Sequence, residues 1–160
     1  MSVSGSDRVT LREITPANRA EIEALTVTPA QETFVAGVAD SLVEAAETPD
    51  AMPWYRAVYA DATPVGFVMI SDNIPMGRPE YVGPYFLWRL LIDARYQGRG
   101  YGRATLDLIV AYVRTRPGAE RLYTSHVPGD GGPLGFYLKY GFVLTGDVHD
   151  GEPVLELPLL

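Results

Sequence analysis

Residues 85–106 read YFLWRLLIDARYQGRGYGRATL. An almost unbroken apolar run of eight residues, as in a central strand covered on both faces, passes into three glycines at alternate positions and then into a helical pattern. A strand, a bare loop and a helix in that order present free backbone N–H groups and the positive helix end to an anion. Glycine lets the backbone approach closely and take positive φ without a side-chain clash. Arg99 and Arg103 are placed to add charge-assisted hydrogen bonds to phosphate oxygens. The alternative is a plain strand-to-helix turn with solvated arginines.

Spacing decides which phosphate ligand suits the loop. The dinucleotide pattern G-x-G-x-x-G/A fails in both registers, meeting Arg103 from Gly98 and Thr105 from Gly100. The phosphate loop of nucleotide hydrolases fails too, because Lys139 is the single lysine and no Gly-Lys-Ser or Gly-Lys-Thr exists. Nicotinamide and ATP chemistry are therefore disfavoured.

The 160 residues suit one domain, expected over 9–160 after a flexible tail at 1–8. Apolar residues make up 47% and charged residues 21%, a globular balance. No membrane-length apolar run and no signal-peptide core are present, so the expected address is the cytoplasm, away from membranes. The absence of cysteine excludes disulfides, thiolate nucleophiles and thiolate metal sites. His126 and His149 have no metal-ligating company, so no metal is expected; one reads as strand packing and the other as turn surface. A net charge of −7 argues against nucleic acid as partner. It is compatible with a cationic substrate, although a surplus of carboxylates also simply keeps a protein soluble.

Along the chain, RVTLREI alternates as a first strand, and Thr15-Pro16 opens a helix over ANRAEIEALTV. Thr28-Pro29-Ala30-Gln31 has capping-box spacing and predicts a second helix over QETFVAGVADSLVEAAE, with Phe34, Val38 and Leu42 on one face. WYRAVYA and ADATPVGFVMIS read as a hairpin turning at Asp61 to Pro64, followed by the long loop DNIPMGRPEYVGP. After the glycine loop come the helix RATLDLIVAYVRTR, the strand RLYTSHV, a short helix entered at Pro133 and left at Gly141, and a terminal hairpin turning at Asp150-Gly151. The fold class is mixed α/β (α+β) with one central sheet.

Gln97-Gly98-Arg99-Gly100-Tyr101-Gly102 resembles the Gln/Arg-x-x-Gly-x-Gly/Ala signature of the GCN5-related N-acetyltransferase superfamily. A strand ending near Ile92, the following helix, a strand like RLYTSHV and the segment FYLKYGF recur in the same order. The resemblance spans essentially the whole chain and is strongest from Tyr85 to Phe142. YFLWRLLIDARYQGRGYGRATL and PAQETFVAGVADSL are most similar to the branch of spermine/spermidine or diamine N-acetyltransferases. This implies a mostly antiparallel, twisted sheet, splayed where acetyl-CoA binds and flanked by helices. It also implies that residues Gln97 to Arg103 hold the pyrophosphate, and that a homodimer forms through the terminal hairpin or an exposed strand edge.

The resemblance further assigns backbone contacts with pantetheine and thioester to Leu90 and Ile92, the N–H of Ile92 being the candidate oxyanion donor, worth about a few kcal/mol when well aimed. It makes Tyr137 the proton donor to the departing thiolate, with Tyr140 a rival on the same short helix. A phenol of reference pKa near 10 stays protonated at neutral pH and can deliver its proton. Where relatives carry a cofactor-binding asparagine, this chain has Asp130, which accepts but cannot donate an amide hydrogen.

A protonated amine must lose a proton before attack. Glu80 and Asp72 flank the long loop, and Glu32, Asp40 and Glu44 lie on the second predicted helix, so these are the candidate acids; each also reads as a solvated surface acid. Glu80 is assigned as catalytic. The expected acceptor is a small polycation such as spermine or spermidine, recognised by Glu32, Asp72 and Glu80 with Tyr81, Tyr85 and Trp88, since aromatic faces attract ammonium groups. Other readings are a protein or antibiotic amine as acceptor, or a non-catalytic acyl-CoA-binding sensor.

Overall fold

The computed structural model describes residues 7–160. Residues 1–6 of the expected tail lie outside the described residues, while the Arg8 N–H donates to Asp61 Oδ1 at 3.2 Å and Asp7 accepts from the Tyr101 hydroxyl. Seven strands form one sheet: β1 (Val9–Arg12), β2 (Pro53–Ala60), β3 (Thr63–Asp72), β4 (Tyr85–Ile92), β5 (Arg121–Ser125), β6 (Val143–His149) and β7 (Glu152–Pro158). Their order is β1-β2-β3-β4-β5-β7-β6, and only β4 and β5 run parallel. The terminal hairpin therefore inserts its second strand beside β5 and leaves its first at the edge. The helices are α1 (Arg19–Glu23), α2 (Val38–Glu47), α3 (Tyr101–Arg114) and α4 (Leu134–Tyr140). No helix among the described residues is long and apolar enough to cross a membrane.

Two apolar clusters cover the two faces. Ile22, Leu25, Val38 and Leu42 of the α1/α2 side pack with Phe67, Met69 and Leu91. On the other face, Leu106, Ile109 and Val113 of α3 and Tyr137 of α4 pack with Leu87, Leu122 and Leu155.

One irregularity in β4 shapes everything around it. Arg89 pairs with Met69 but Leu87 pairs with Ile70, so Trp88 is an extra residue, a bulge. A one-residue insertion inverts the alternation of a strand and bends it. Accordingly Tyr85 and Leu87 face the α3 cluster before the bulge, and Leu90 and Ile92 face it afterwards. β4 pairs with β5 only through Phe86–Tyr123 and Leu87–Thr124, immediately before the bulge. Beyond it the two parallel strands part, and the sheet opens.

The second helix departs from expectation. The capping box at Thr28 and Gln31 exists, but it opens only a 3-10 turn, Pro29–Gln31. The α-helix starts after Gly37, which has extended backbone with φ −69° and ψ 172°. Val38 and Leu42 are buried on it, whereas Phe34 lies in the intervening segment. A Cβ added at Gly129 or Gly132 would meet the Phe34 ring at 3.2 or 3.0 Å. Its ring has left the helical stripe to lie against the loop after β5, a tertiary contact that overrides the local pattern.

Candidate active site

The gap between β4 and β5 widens into a cleft of about 1170 Å³. One wall comes from residues 31–36 and α2, another from the start of α3, and others from β4, the end of β5 with the loop after it, the 73–84 loop, α4 and the β6–β7 turn. The long loop is tied to that turn, since His149 Nε2 lies 2.9 Å from the Glu80 carbonyl oxygen.

At one end of the cleft the glycine loop meets α3. Gly100 stands immediately before the helix with φ 85°, and no side chain caps the helix start. The N–H groups of Tyr101, Gly102 and Arg103 occupy the first turn, where an α-helix has no acceptor of its own. Glycine both permits the left-handed turn and withholds the oxygen that a serine or aspartate would supply there. The phenol of Tyr101 packs inward with its hydroxyl on Asp7, so Tyr101 offers the cleft its backbone. Arg103 lines the cleft. Arg99 does not, and its guanidinium lies 5.7 Å from the Tyr96 ring centre. Gln97 Nε2 donates to the Ile92 carbonyl at 2.9 Å, bracing the loop against the end of β4.

The register of β4 orients its backbone. The Asp93 N–H donates to the Val65 carbonyl at 2.8 Å, and Ile92 lies opposite Gly66. Because antiparallel pairs alternate between bonded and non-bonded, the N–H and C=O groups of Ile92 and Leu90 turn away from β3. They point to the side where β5 has withdrawn. Leu90 and Ile92 both line the cleft.

Tyr137 sits at the apex of this opening. It lines the cleft, is buried, and meets Phe142 edge-on at a centroid distance of 5.4 Å. Burial pushes its hydroxyl up to about 12, Thr124 offsets part of the rise, and the charge of Glu152 adds to it. Thr124 itself donates to the Leu87 carbonyl at 3.0 Å, where β4 and β5 last pair. The rival Tyr140 donates to Asp107 Oδ1 at 2.7 Å on α3. Burial and that carboxylate raise its pKa, and the hydroxyl is already committed.

The remaining expected residues divide. Glu32, Glu80, Tyr81 and Trp88 line the cleft together with Gln97, Gly98, Gly100 and Gly102. Asp72 does not join them, because its carboxylate takes the Tyr112 hydroxyl at 2.5 Å and Arg116 Nε at 2.9 Å. Tyr85 is fully buried and donates to the Pro117 carbonyl at 2.5 Å, on the α3 side. Asp130 is exposed and off the cleft. Glu80 is bound by Arg78 Nε at 3.2 Å, which holds its carboxyl below the usual value and makes it a weaker base. Sequence reasoning missed Ser125, His126, Arg89 and Glu152, all of which line the cleft. Arg89 is paired with Glu44 of α2 and donates to the Trp88 carbonyl at 3.0 Å, which braces the bulge.

The opening thus offers an uncapped helix start at one end and outward-turned backbone along β4, an arrangement suited to a narrow ligand with an anionic tail. Residues 19–142 match the acetyltransferase (GNAT) family, and the chain belongs to it. Spermine/spermidine N(1)-acetyltransferase of Bacillus subtilis is 27% identical over 150 residues, 92% of this chain and 96% of that protein. An acetyltransferase of Thermus thermophilus superposes with a TM-score of 0.69 at 21% identity, covering 94% of this chain and 96% of that one. An aminoglycoside acetyltransferase, AAC(6')-Ib, in complex with coenzyme A superposes with a TM-score of 0.73 at 18% identity, covering 94% and 95%. The protein is an acetyl-CoA-dependent N-acetyltransferase. Its residues suit that cosubstrate: an uncapped helix start for the pyrophosphate, outward-turned backbone at Leu90 and Ile92 for the pantetheine arm, and a protonated phenol at the apex. Bound there, acetyl-CoA supplies an electrophilic thioester carbonyl.

Proposed function

We propose that this acetyltransferase acts on a primary amine of a small polycation such as spermine or spermidine, by direct attack on the thioester. The carrying observation is the wall facing the acceptor. Glu32 and Glu152 line the cleft and stand in no ion pair among the described residues, and the aromatic side chains of Tyr81 and Trp88 line it as well. Free carboxylates attract an extended polycation by summed Coulomb energy, and aromatic rings hold its ammonium groups. The Bacillus subtilis relative acts on such amines by its name, which supports the same reading.

In this arrangement the chain's own groups divide the work. The first-turn N–H groups of α3 hold phosphate, the N–H of Ile92 faces the position where negative charge develops, and the Tyr137 hydroxyl holds the proton that the leaving sulfur requires. No covalent enzyme intermediate is needed. Thiol release from acetyl-CoA in the presence of spermine, spermidine, short diamines, an aminoglycoside and a lysine peptide tests the proposal. Polyamines should give the highest kcat/KM. A preference for the aminoglycoside or the peptide would replace polyamines as the acceptor, and binding of acetyl-CoA without turnover of any amine would favour a sensor.

A further inference from the structure

Three of the five acids that line the cleft have a basic side chain beside them. Glu44 is paired with Arg89, Glu80 with Arg78, and Asp150 lies 3.6 Å from His149 Nδ1. Glu152, the first residue of β7, is different. Its Oε1 accepts from the Ser125 hydroxyl at 2.9 Å, at the end of the strand that parts from β4. Glu32, the other unpaired acid of the wall, is exposed and has no such donor, whereas Glu152 is partly shielded.

Strand alternation sets the direction from which Glu152 reaches the cleft. Thr124 pairs with Leu155 and Ser125 with Val154. Leu122 and Leu155 bury toward α3 and α4, in the cluster that holds Tyr137. By the two-residue period, Ser125 and Glu152 turn to the opposite face, the one that carries α1 and α2. Tyr137 and Glu152 nonetheless line the same cleft. A phenol and a carboxylate thus border the apex of the opening from its two faces.

We propose that Glu152 is the carboxylate that receives the acceptor ammonium and takes its proton, with Ser125 as the residue that positions it. The inference rests on the amine-acetylation reading and extends it to the group that selects and deprotonates the amine. The acceptor nitrogen gives one proton to Glu152, which passes it to solvent. Its lone pair forms the bond to the acetyl carbon, the carbon–sulfur bond breaks, and the sulfur takes the Tyr137 proton. The second proton shed by nitrogen restores Tyr137. The sum is ammonium plus thioester to amide, thiol and one released proton.

The test uses the full chain and whichever panel amine the wild type turns over best. Glu152→Gln keeps the shape and removes the charge. It should lower kcat/KM for the amine by about 100-fold or more and weaken calorimetric binding of that amine to the cofactor-free protein by about tenfold. Acetyl-CoA affinity, the control for folding, should stay within about twofold. The loss in kcat should shrink for weakly basic amines that are neutral at the assay pH, a response that a structural role would not produce. Ser125→Ala should lower kcat/KM by a smaller factor and Ser125→Thr should restore it. Glu152→Gln with amine binding and turnover within about threefold of wild type overturns the assignment and leaves the polyamine reading standing. If wild type prefers a non-polyamine acceptor, the polyamine reading falls, and the loss in Glu152→Gln on that acceptor still decides the role of Glu152.

Discussion

Gln31 and Gln97 face each other through both side-chain amides, Gln97 Nε2 donating to Gln31 Oε1 at 2.8 Å and Gln31 Nε2 donating to Gln97 Oε1 at 3.1 Å. The pair joins the segment leading into α2 to the loop leading into α3, a direct link between two walls of the cleft. Each amide hydrogen bond contributes about 1 kcal/mol net. Gln97→Ala removes three such bonds, the one to the Ile92 carbonyl included, and should therefore lower Tm by roughly 6 to 12 °C and weaken acetyl-CoA binding. Thermal unfolding of Gln31→Ala, Gln97→Ala and the double variant checks this. Coupling of at least about 0.5 kcal/mol is expected, and strictly additive losses would refute the linkage.

Tyr137→Phe removes the proton for the leaving sulfur and should lower kcat by about 100-fold, with acetyl-CoA affinity nearly unchanged. A second consequence follows from the hydroxyl's pKa, pushed up to about 12 from its usual 10 by burial. The folded state favours the protonated phenol, so its contribution is complete below pH 10 and is lost as pH rises from about 10 to 12. Wild-type stability should fall in that window by up to roughly 1.4 kcal/mol per pH unit more than that of Tyr137→Phe. Urea unfolding across the range reads the difference; parallel curves would mean that the hydroxyl is not held in its protonated form.

What the sequence revealed at the site is what depends on local backbone demands. The glycines before α3, the proline entry and glycine exit of α4, and the Asp150-Gly151 turn each constrain a few consecutive residues, and each stands where spacing places it. Pairings across the sheet were not legible. Ser125 and Glu152 are 27 residues apart and meet only because β7 inserts between β5 and β6. The Trp88 bulge was hidden because an apolar run has no alternation to break. Asp72 and Tyr85 adjoin the long loop in sequence, yet strand parity turns both toward α3. Phe34 fitted the helical stripe, and its contact with Gly129 and Gly132 came from a loop nearly a hundred residues away.

At Gly100 the predicted effect is on the phosphate end alone. Its φ of 85° lies in the left-handed region, and a Cβ there would meet no neighbour, so strain rather than collision sets the cost. Gly100→Val should destabilise the fold by about 1 to 2 kcal/mol and distort the first-turn N–H groups, weakening acetyl-CoA binding at least about tenfold. Amine binding to the cofactor-free protein should be spared. Calorimetry with each ligand separates the two, and unchanged acetyl-CoA affinity would remove the phosphate role from this loop.

Asp93, buried just past β4, fixes the geometry on which the Ile92 N–H depends. Its Oδ1 accepts from the Arg95 N–H and Nε, each at 2.9 Å, and its Oδ2 from the Thr26 N–H at 2.9 Å. Burial pushes the carboxyl up, but the hydrogen bonds from the Arg95 side chain, the Thr26 N–H and the Arg95 N–H outweigh it and hold the pKa below 3.8. A carboxylate depressed in the folded state contributes stability above its unfolded pKa, and that contribution is lost as pH falls through the folded one. Asp93→Asn must turn an NH2 group toward one of these donors, leaving it unsatisfied. It should cost about 2 to 4 kcal/mol at neutral pH and also lower kcat, because the end of β4 is no longer pinned to Thr26. The gap between wild type and variant should narrow as pH drops below about 4. Denaturant unfolding at pH 7, 5, 4 and 3 measures it, and a gap that stays constant to pH 3 would show that the Asp93 charge contributes nothing.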